Sequence, residues 1–148
     1  MTTPFLVYNN AEYLRVHNIM AWPSGVFVFG SNLGGIHGAG AAKDAYQKYG
    51  AVLREGVGMQ GRSYAIPTKD ASFDVLPIQE IAFHVEDFLR LATSQPHKVF
   101  AVTRIGCGFS KYSDFDIAPL FTNAPFHCSL PTHWRDIIRG KEFSFNWD

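Results

Sequence analysis

Residues 26–50, VFVFGSNLGGIHGAGAAKDAYQKYG, constrain this chain more than any other stretch. Val26 to Phe29 are consecutive apolar residues of high strand propensity, and Gly30, Ser31 and Asn32 end them in turn chemistry. A run of that length, bounded that way, predicts a short strand buried on both faces. The loop from Leu33 to Gly40 carries glycines at 34, 35, 38 and 40, four in seven residues. Without Cβ atoms, such a backbone takes φ > 0 and lets a ligand approach closely. From Gly38 the spacing turns helical, with Ala39, Ala42, Tyr46 and Tyr49 on one face and Gly50 as the C-cap.

A strand, a glycine loop and a helix N-terminus together present unpaired N–H groups and the positive end of a dipole, which suits phosphate. The plain alternative is a tight β–α connection whose glycines only relieve packing. The density of glycines favours the phosphate site. No Lys-Ser/Thr pair follows them, so the loop is not a Walker A, and the spacing does not fit GxGxxG.

A chain of 148 residues is expected to form one domain, 1–148, with a sizeable core. Aromatic residues make up 15%, with 13 Phe, enough for a well-filled core or a stacking site. Thirteen basic and thirteen acidic residues cancel, which disfavours extended nucleic-acid binding. Cys107 and Cys128 are too few for a disulfide scaffold and suit a reducing compartment. No signal peptide or membrane-spanning run is evident, so the expectation is a soluble, cytoplasmic protein with no membrane partner.

The rest of the chain reads around this centre. Phe5–Tyr8 is a candidate first strand, with Asn9-Asn10 as a turn, and His17 falls in a segment of no clear period, as a surface or cap residue. Glu55 to Gly61 reads as a loop, and Arg62–Pro67 as a strand that Pro67-Thr68-Lys69-Asp70 ends. Pro77 opens the clearest helix, with Ile78, Ile81, Val85, Phe88, Leu89 and Ala92 as one apolar stripe and His84 on the polar side. Ser94 to Pro96 stop it. Val99–Val102 is a second buried strand, followed by a turn with Ile105, Gly106, Cys107, Gly108 and Phe109, then a helix at about Asp114–Phe121 capped by Ser113 or Asp114. Phe126–Leu130 is a candidate last strand, Trp134–Ile138 a helical turn, and Lys141–Asp148 an alternating tail. His127, Cys128 and His133 match no standard zinc spacing, so no metal is expected. No cofactor is expected either.

The two glycine loops together resemble those of macrodomains, the ADP-ribose-binding α/β/α fold. NLGGIHGAGAA at 32–42 is similar to the family's first loop, of the type GGGxAxAI, and IGCGFSKY at 105–112 to its second. YAIPTKD at 64–70 with TRIGCGF at 103–109 resembles the lysine-dependent ADP-ribosyl glycohydrolase branch, which includes terminal ADP-ribose glycohydrolases and DNA ADP-ribosyl glycohydrolase antitoxins. The likeness spans residues 26–130. It implies a three-layer α/β/α fold with a mixed central sheet, and a site for ADP-ribose or an ADP-ribosylated partner.

By that resemblance, Lys69 is the nucleophile that attacks the distal ribose, in the family's Thr-Lys pair, here Thr68-Lys69. Asn32 binds that ribose. The diphosphate would lie between the loop Gly34–Gly40, with Gly34, Gly35, Ile36, His37, Gly38 and Gly40, and the loop Gly106–Phe109, with Gly106, Cys107, Gly108 and Phe109, and Gly30, Ser31 and Ile105 are expected among the other ligand-binding residues. Phe109 or Tyr112 could cover a ribose or the adenine. Ser110 stands where protein-deglycosylating members carry an aspartate. Two alternatives to the glycohydrolase stay open: a phosphatase of ADP-ribose 1″-phosphate with His37 as acid/base, and a binder without catalysis. Cys107 has no histidine beside it in sequence and reads as a small apolar residue under a tight loop.

Overall fold

The structure, a computed structural model, describes residues 10–107 and 111–138. Eight elements of helix and strand come first: α1 (Asn10–Met20), β1 (Gly25–Asn32), α2 (Gly40–Lys48), β2 (Gly58–Gln60), β3 (Ser63–Lys69), α3 (Ile78–Thr93), β4 (Val99–Val102) and α4 (Asp114–Ile117). A 3-10 turn, Ala118–Phe121, then β5 (Cys128–Ser129) and a second 3-10 turn, Thr132–Trp134, complete the described chain. The five strands form one sheet in the order β2-β3-β1-β4-β5. β1 runs parallel to β3 and β4, β4 runs parallel to β5, and β2 is antiparallel to β3, so the sheet is mixed.

The alternation of β1 explains why helices cover both faces. Val26 and Val28 point into the core formed with Ile81, Val85 and Phe88 of α3. Phe27 and Phe29 point the other way, into the core formed with Val16, Ile19 and Met20 of α1 and Ala42 and Ala45 of α2. All four β1 side chains are buried, as a parallel strand covered on both faces requires. Phe88 is the hub of the first core, its ring 5.1 Å from Tyr64, 5.5 Å from Phe100 and 6.3 Å from Phe121. Phe88→Ala is expected to lower the unfolding free energy by ~3–5 kcal/mol in urea titration, with the two cores losing structure together.

The apolar stripe of α3 lies where its spacing predicts, with Ile81, Val85, Phe88 and Ala92 buried, and Pro77 precedes its first turn. Ser113 caps α4 in a complete capping box with Asp116. Five expectations are corrected. Residue 10 begins α1 rather than belonging to a turn. That helix hides its period because Glu12 and Arg15 sit on its inward face beside Val16 and Ile19. Arg15 donates to Val102 O (2.7 Å), Ser129 O (2.9 Å) and Ser129 Oγ (2.7 Å), and pairs with Glu12 (3.0 Å). Glu12 accepts in turn from Thr132 Oγ1 (2.7 Å) and Thr132 N (3.2 Å).

β1 continues past Phe29 to Asn32, because Gly30, Ser31 and Asn32 pair with β3. β3 likewise runs through Pro67 to Lys69. The pairing shifts register between Ser31 and Asn32, beside the Ser31–Pro67 pair, and such an irregularity accommodates a residue with no N–H to donate. β2 occupies part of the expected 55–61 loop. α2 begins at Gly40 rather than Gly38, and it buries Ala42 and Ala45 while Tyr46 is exposed. Gly50 follows its end with φ of +81°, where a C-cap glycine belongs. His17 is exposed on α1 and stacks on Tyr13, consistent with a surface residue. The expected Phe5–Tyr8 strand and the 141–148 tail lie outside the described residues. No helix among the described residues is long and apolar enough to cross a membrane.

Candidate functional site

Because β1, β3 and β4 are parallel neighbours, their C-terminal ends lie side by side, with β1 in the middle. The segments that leave those ends enclose a cleft of about 430 Å³, a volume in the range of nucleotide-sized ligand pockets. β1 contributes Gly30, Ser31 and Asn32, and the following loop and the start of α2 contribute Ile36 and residues Gly38 to Ala42. β3 contributes Thr68 and Lys69, and the loop after it Phe73. Thr103, Arg104, Ile105 and Gly106 close the side beyond β4. This is the position where ligands collect in open α/β sheets.

Each cleft segment has its own local support. Asn32 is buried, and its amide clamps the loop: Nδ2 donates to Ile36 O (2.8 Å) and Oδ1 accepts from Ile36 N (3.0 Å). An amide has two N–H donors and two acceptor lone pairs, so a donor and a lone pair remain. Ser31 donates through Oγ to Gly56 O, tying the end of β1 to the 51–57 loop. Thr68 Oγ1 donates to Ser31 O at 3.3 Å. Thr103 Oγ1 donates to Val28 O at 2.8 Å.

The glycines of the first loop divide by role. A Cβ on Gly35 would lie 2.3 Å from Glu55 N and 2.4 Å from Arg54 C, and its φ is +69°, so that glycine is required by packing against the 54–55 backbone. Among the described residues a Cβ on Gly38 would meet only Ile36 Cγ2, at 4.0 Å, so none of them demands a glycine there. Gly38 and Gly40 line the cleft, whereas Gly34 and Gly35 do not.

No side chain caps Ala39 at the start of α2, and the first α2 bond of that turn is Lys43 N to Ala39 O at 3.2 Å. A helix leaves its first N–H groups without intrahelical partners, and here that uncapped first turn lines the cleft. α4 contrasts with it, since its Ser113–Asp116 box satisfies its own terminus.

Arg104 stands on the β4 side, gripped in bidentate fashion by Asp114: Nε to Oδ1 at 3.0 Å and Nη2 to Oδ2 at 2.7 Å. Trp134 Nε1 also donates to Asp114 Oδ1, at 2.8 Å. Burial pushes the Asp114 carboxyl up, but the hydrogen bonds from Arg104 and Trp134 outweigh it and hold the group below the ordinary carboxylate range. The bond to Asp114 in turn raises Arg104 above its ordinary value. Because the folded value is depressed, this pair stabilises fully above the unfolded carboxylate value of about 4 and is lost as pH falls through the lower folded value. Asp114→Asn is expected to cost ~1.5–3 kcal/mol at pH 7 and much less at pH 2–3, read by denaturant titration at both values.

Several residues singled out by the sequence lie elsewhere. His37 is buried, with Nε2 donating to Val52 O at 2.9 Å and its ring edge-on to Phe29 at 5.4 Å between centroids. It is absent from the cleft lining, and its Nδ1 has no hydrogen-bond partner. Tyr112 donates through its hydroxyl to Leu76 O at 2.7 Å and packs on the α3 core. Cys107 packs on the same core, and burial, then the charge of Asp114, pushes its thiol up to about 12. A thiol so placed is a poor nucleophile. Gly108 and Phe109 lie outside the described residues. Gly30, Ser31, Asn32, Ile36, Gly38, Gly40, Thr68, Lys69, Ile105 and Gly106 are brought together.

Sequence reasoning passed over two charged or aromatic lining residues. Arg104 follows the end of β4 much as Lys69 ends β3, and that parallel was the available signal. Phe73 is an aromatic inside the polar Asp70–Asp74 turn, out of keeping with its neighbours. No group of three or more metal-ligating side chains occurs among the described residues. Comparison of the chain with protein-family models, with curated proteins and with solved structures finds no match.

Proposed function

We propose that the cleft binds ADP-ribose in a macrodomain-like fold and that Lys69 makes the protein an ADP-ribosyl glycohydrolase. The observation that carries this is the uncapped first turn of α2 and Lys69 lining one cleft of nucleotide size. Backbone N–H groups at a helix N-terminus hold a diphosphate without basic side chains, which accords with a chain of zero net charge. Asn32, with a donor and an acceptor still unused, lines the same cleft and pairs in register with Lys69, so it can bracket the distal ribose.

In this reading Lys69 Nζ attacks the anomeric carbon of the distal ribose. The bond from that carbon to the acceptor breaks, and its electron pair leaves with the acceptor, which is protonated. Water then hydrolyses the lysyl adduct and releases ADP-ribose. The alternative phosphatase has less support, since His37 is bonded to Val52 O and is not itself among the lining residues. Calorimetric titration with ADP-ribose, followed by assays on ADP-ribosylated protein and ADP-ribosylated DNA, tests the proposal. Absence of ADP-ribose binding overturns it; binding without turnover of either substrate leaves a nucleotide-binding domain in which Ser110 replaces the family aspartate.

A further inference from the structure

We infer that Gln60 is a positioning residue for the cleft: through the 51–57 loop it holds the glycine loop in the conformation that binds ADP-ribose. This rests on the ADP-ribosyl reading above. Gln60 acts from behind the site, since among the described residues that line the cleft none comes from the 51–57 loop or from β2.

The glycine loop has little stiffness of its own. Residues 34, 35, 38 and 40 are glycines, and glycine leaves a backbone more conformations than any other residue. Ordering such a segment opposes binding unless the fold has ordered it beforehand. Here three successive residues are tied from outside the loop. Arg54 N donates to Gly35 O at 2.9 Å, the Asn32 amide brackets Ile36, and His37 Nε2 donates to Val52 O at 2.9 Å. Two of these three ties come from the 51–57 loop. Gly38 follows them directly, and the uncapped first turn of α2 comes next.

Gln60 in turn holds the 51–57 loop. The side chain is 4% exposed, at the end of the edge strand β2, and both ends of its amide are committed to that loop. Oε1 accepts from Val52 N at 2.8 Å, and Nε2 donates to Glu55 O at 2.6 Å. Each bond lies within one residue of a tie, because Val52 carries the carbonyl that His37 uses and Glu55 follows Arg54.

The turn between those two bonds is strained. Arg54 has φ of +73°, uncommon for a residue with a side chain, and in that conformation its N–H meets Gly35 O. Such strain persists only where the surroundings impose it, and Gln60 brackets the turn on both sides. Packing is not what the loop supplies. Ala51 joins the α1–α2 core, but Val52, Leu53 and Val57 are exposed. Its polar bonds serve the glycine loop and the end of β1, where Ser31 Oγ donates to Gly56 O.

Gln60→Leu keeps a side chain of similar size and removes both bonds. Calorimetry should give this variant a Kd for ADP-ribose at least about tenfold weaker than that of the unmutated protein, with the number of sites per molecule unchanged. A merely structural role would reduce the number of sites and leave their Kd as it was, and that result overturns the proposal. Failure of the unmutated protein to bind ADP-ribose overturns the wider reading with it. A second measurement needs no variant. By linkage, the ligand must steady the 51–57 loop by the same factor by which that loop strengthens the ligand. Saturating ADP-ribose should therefore slow hydrogen exchange at the Val52 and Arg54 amides at least about tenfold, although neither residue lines the cleft. The amides of Ser94 and Gln95, bonded in the turn between α3 and β4, should not change. Unaltered exchange at Val52 and Arg54, or equal slowing at all of these amides, overturns the proposal.

Discussion

Replacing Lys69 by alanine is expected to lower removal of ADP-ribose from its acceptor by at least about 10³-fold, while affinity for free ADP-ribose stays within a few-fold. The two effects separate because different groups carry them. On the proposed reading, affinity comes from the backbone N–H groups of the α2 terminus and from packing of the riboses and base, none of which needs an amine. Turnover needs a nucleophile at the anomeric carbon. Of the other lining residues, Arg104 is committed to Asp114 and a guanidinium does not deprotonate. Cys107, outside the lining, has its thiol held protonated. Single-turnover assays with the variant measure the loss, and borohydride trapping followed by mass spectrometry should place a lysyl adduct on Lys69. Normal turnover by Lys69→Ala would refute the catalytic assignment.

The second large effect is on binding. Gly38→Val should weaken ADP-ribose by at least about 100-fold, equivalent to about 2.7 kcal/mol, because the branched side chain fills cleft space beside the first turn of α2. The fold should not notice. Among the described residues a Cβ there meets one atom, 4.0 Å away, and Gly38 is absent from the positive-φ glycines, so unfolding free energy should stay within about 0.5 kcal/mol of the parent. Gly35→Ala is the opposite case within the same loop. Its Cβ would strike the Arg54–Glu55 backbone at 2.3–2.5 Å, and its φ is +69°, so it should cost roughly 2–5 kcal/mol of stability. Calorimetry and denaturant titration on the two variants distinguish a ligand-facing glycine from a packing glycine. Full affinity in a folded Gly38→Val protein would sink the placement of phosphate at this turn.

The sequence disclosed elements whose inward faces are uniformly apolar. β1, β4 and α3 were legible for that reason, and α4 because Ser113 and Asp116 stand at capping-box spacing. α1 was illegible because two ionised residues, Glu12 and Arg15, occupy positions that a periodicity argument assigns to core. β2 was hidden by Gly58 and Gly61 on either side of Met59 and Gln60, since pairing with β3, not local propensity, makes it a strand. At the candidate site, glycine density drew attention to residues 30–40, several of which line the cleft, but it could not distinguish Gly38 from Gly35. That distinction lies in the 54–55 backbone, fifteen or more residues further along. For His37 the sequence could not show its surroundings, because Val52 O and the Phe29 ring reach it only in three dimensions.

The buried charges of α1 also set how this molecule opens. Arg15 reaches Val102 O and both the carbonyl and hydroxyl of Ser129, while Glu12 takes two hydrogen bonds from Thr132. If α1 frayed alone, the C-terminal end of β4 and the two-residue edge strand β5 would lose these partners together. Fraying of the helix is therefore expected to be coupled to fraying of the sheet edge, and the three segments should exchange their amide hydrogens as one cooperative unit rather than one by one. Thr103 and Arg104 follow directly from that unit. One wall of the cleft is thus expected to inherit the opening free energy of a helix that contributes no residue to the cleft lining.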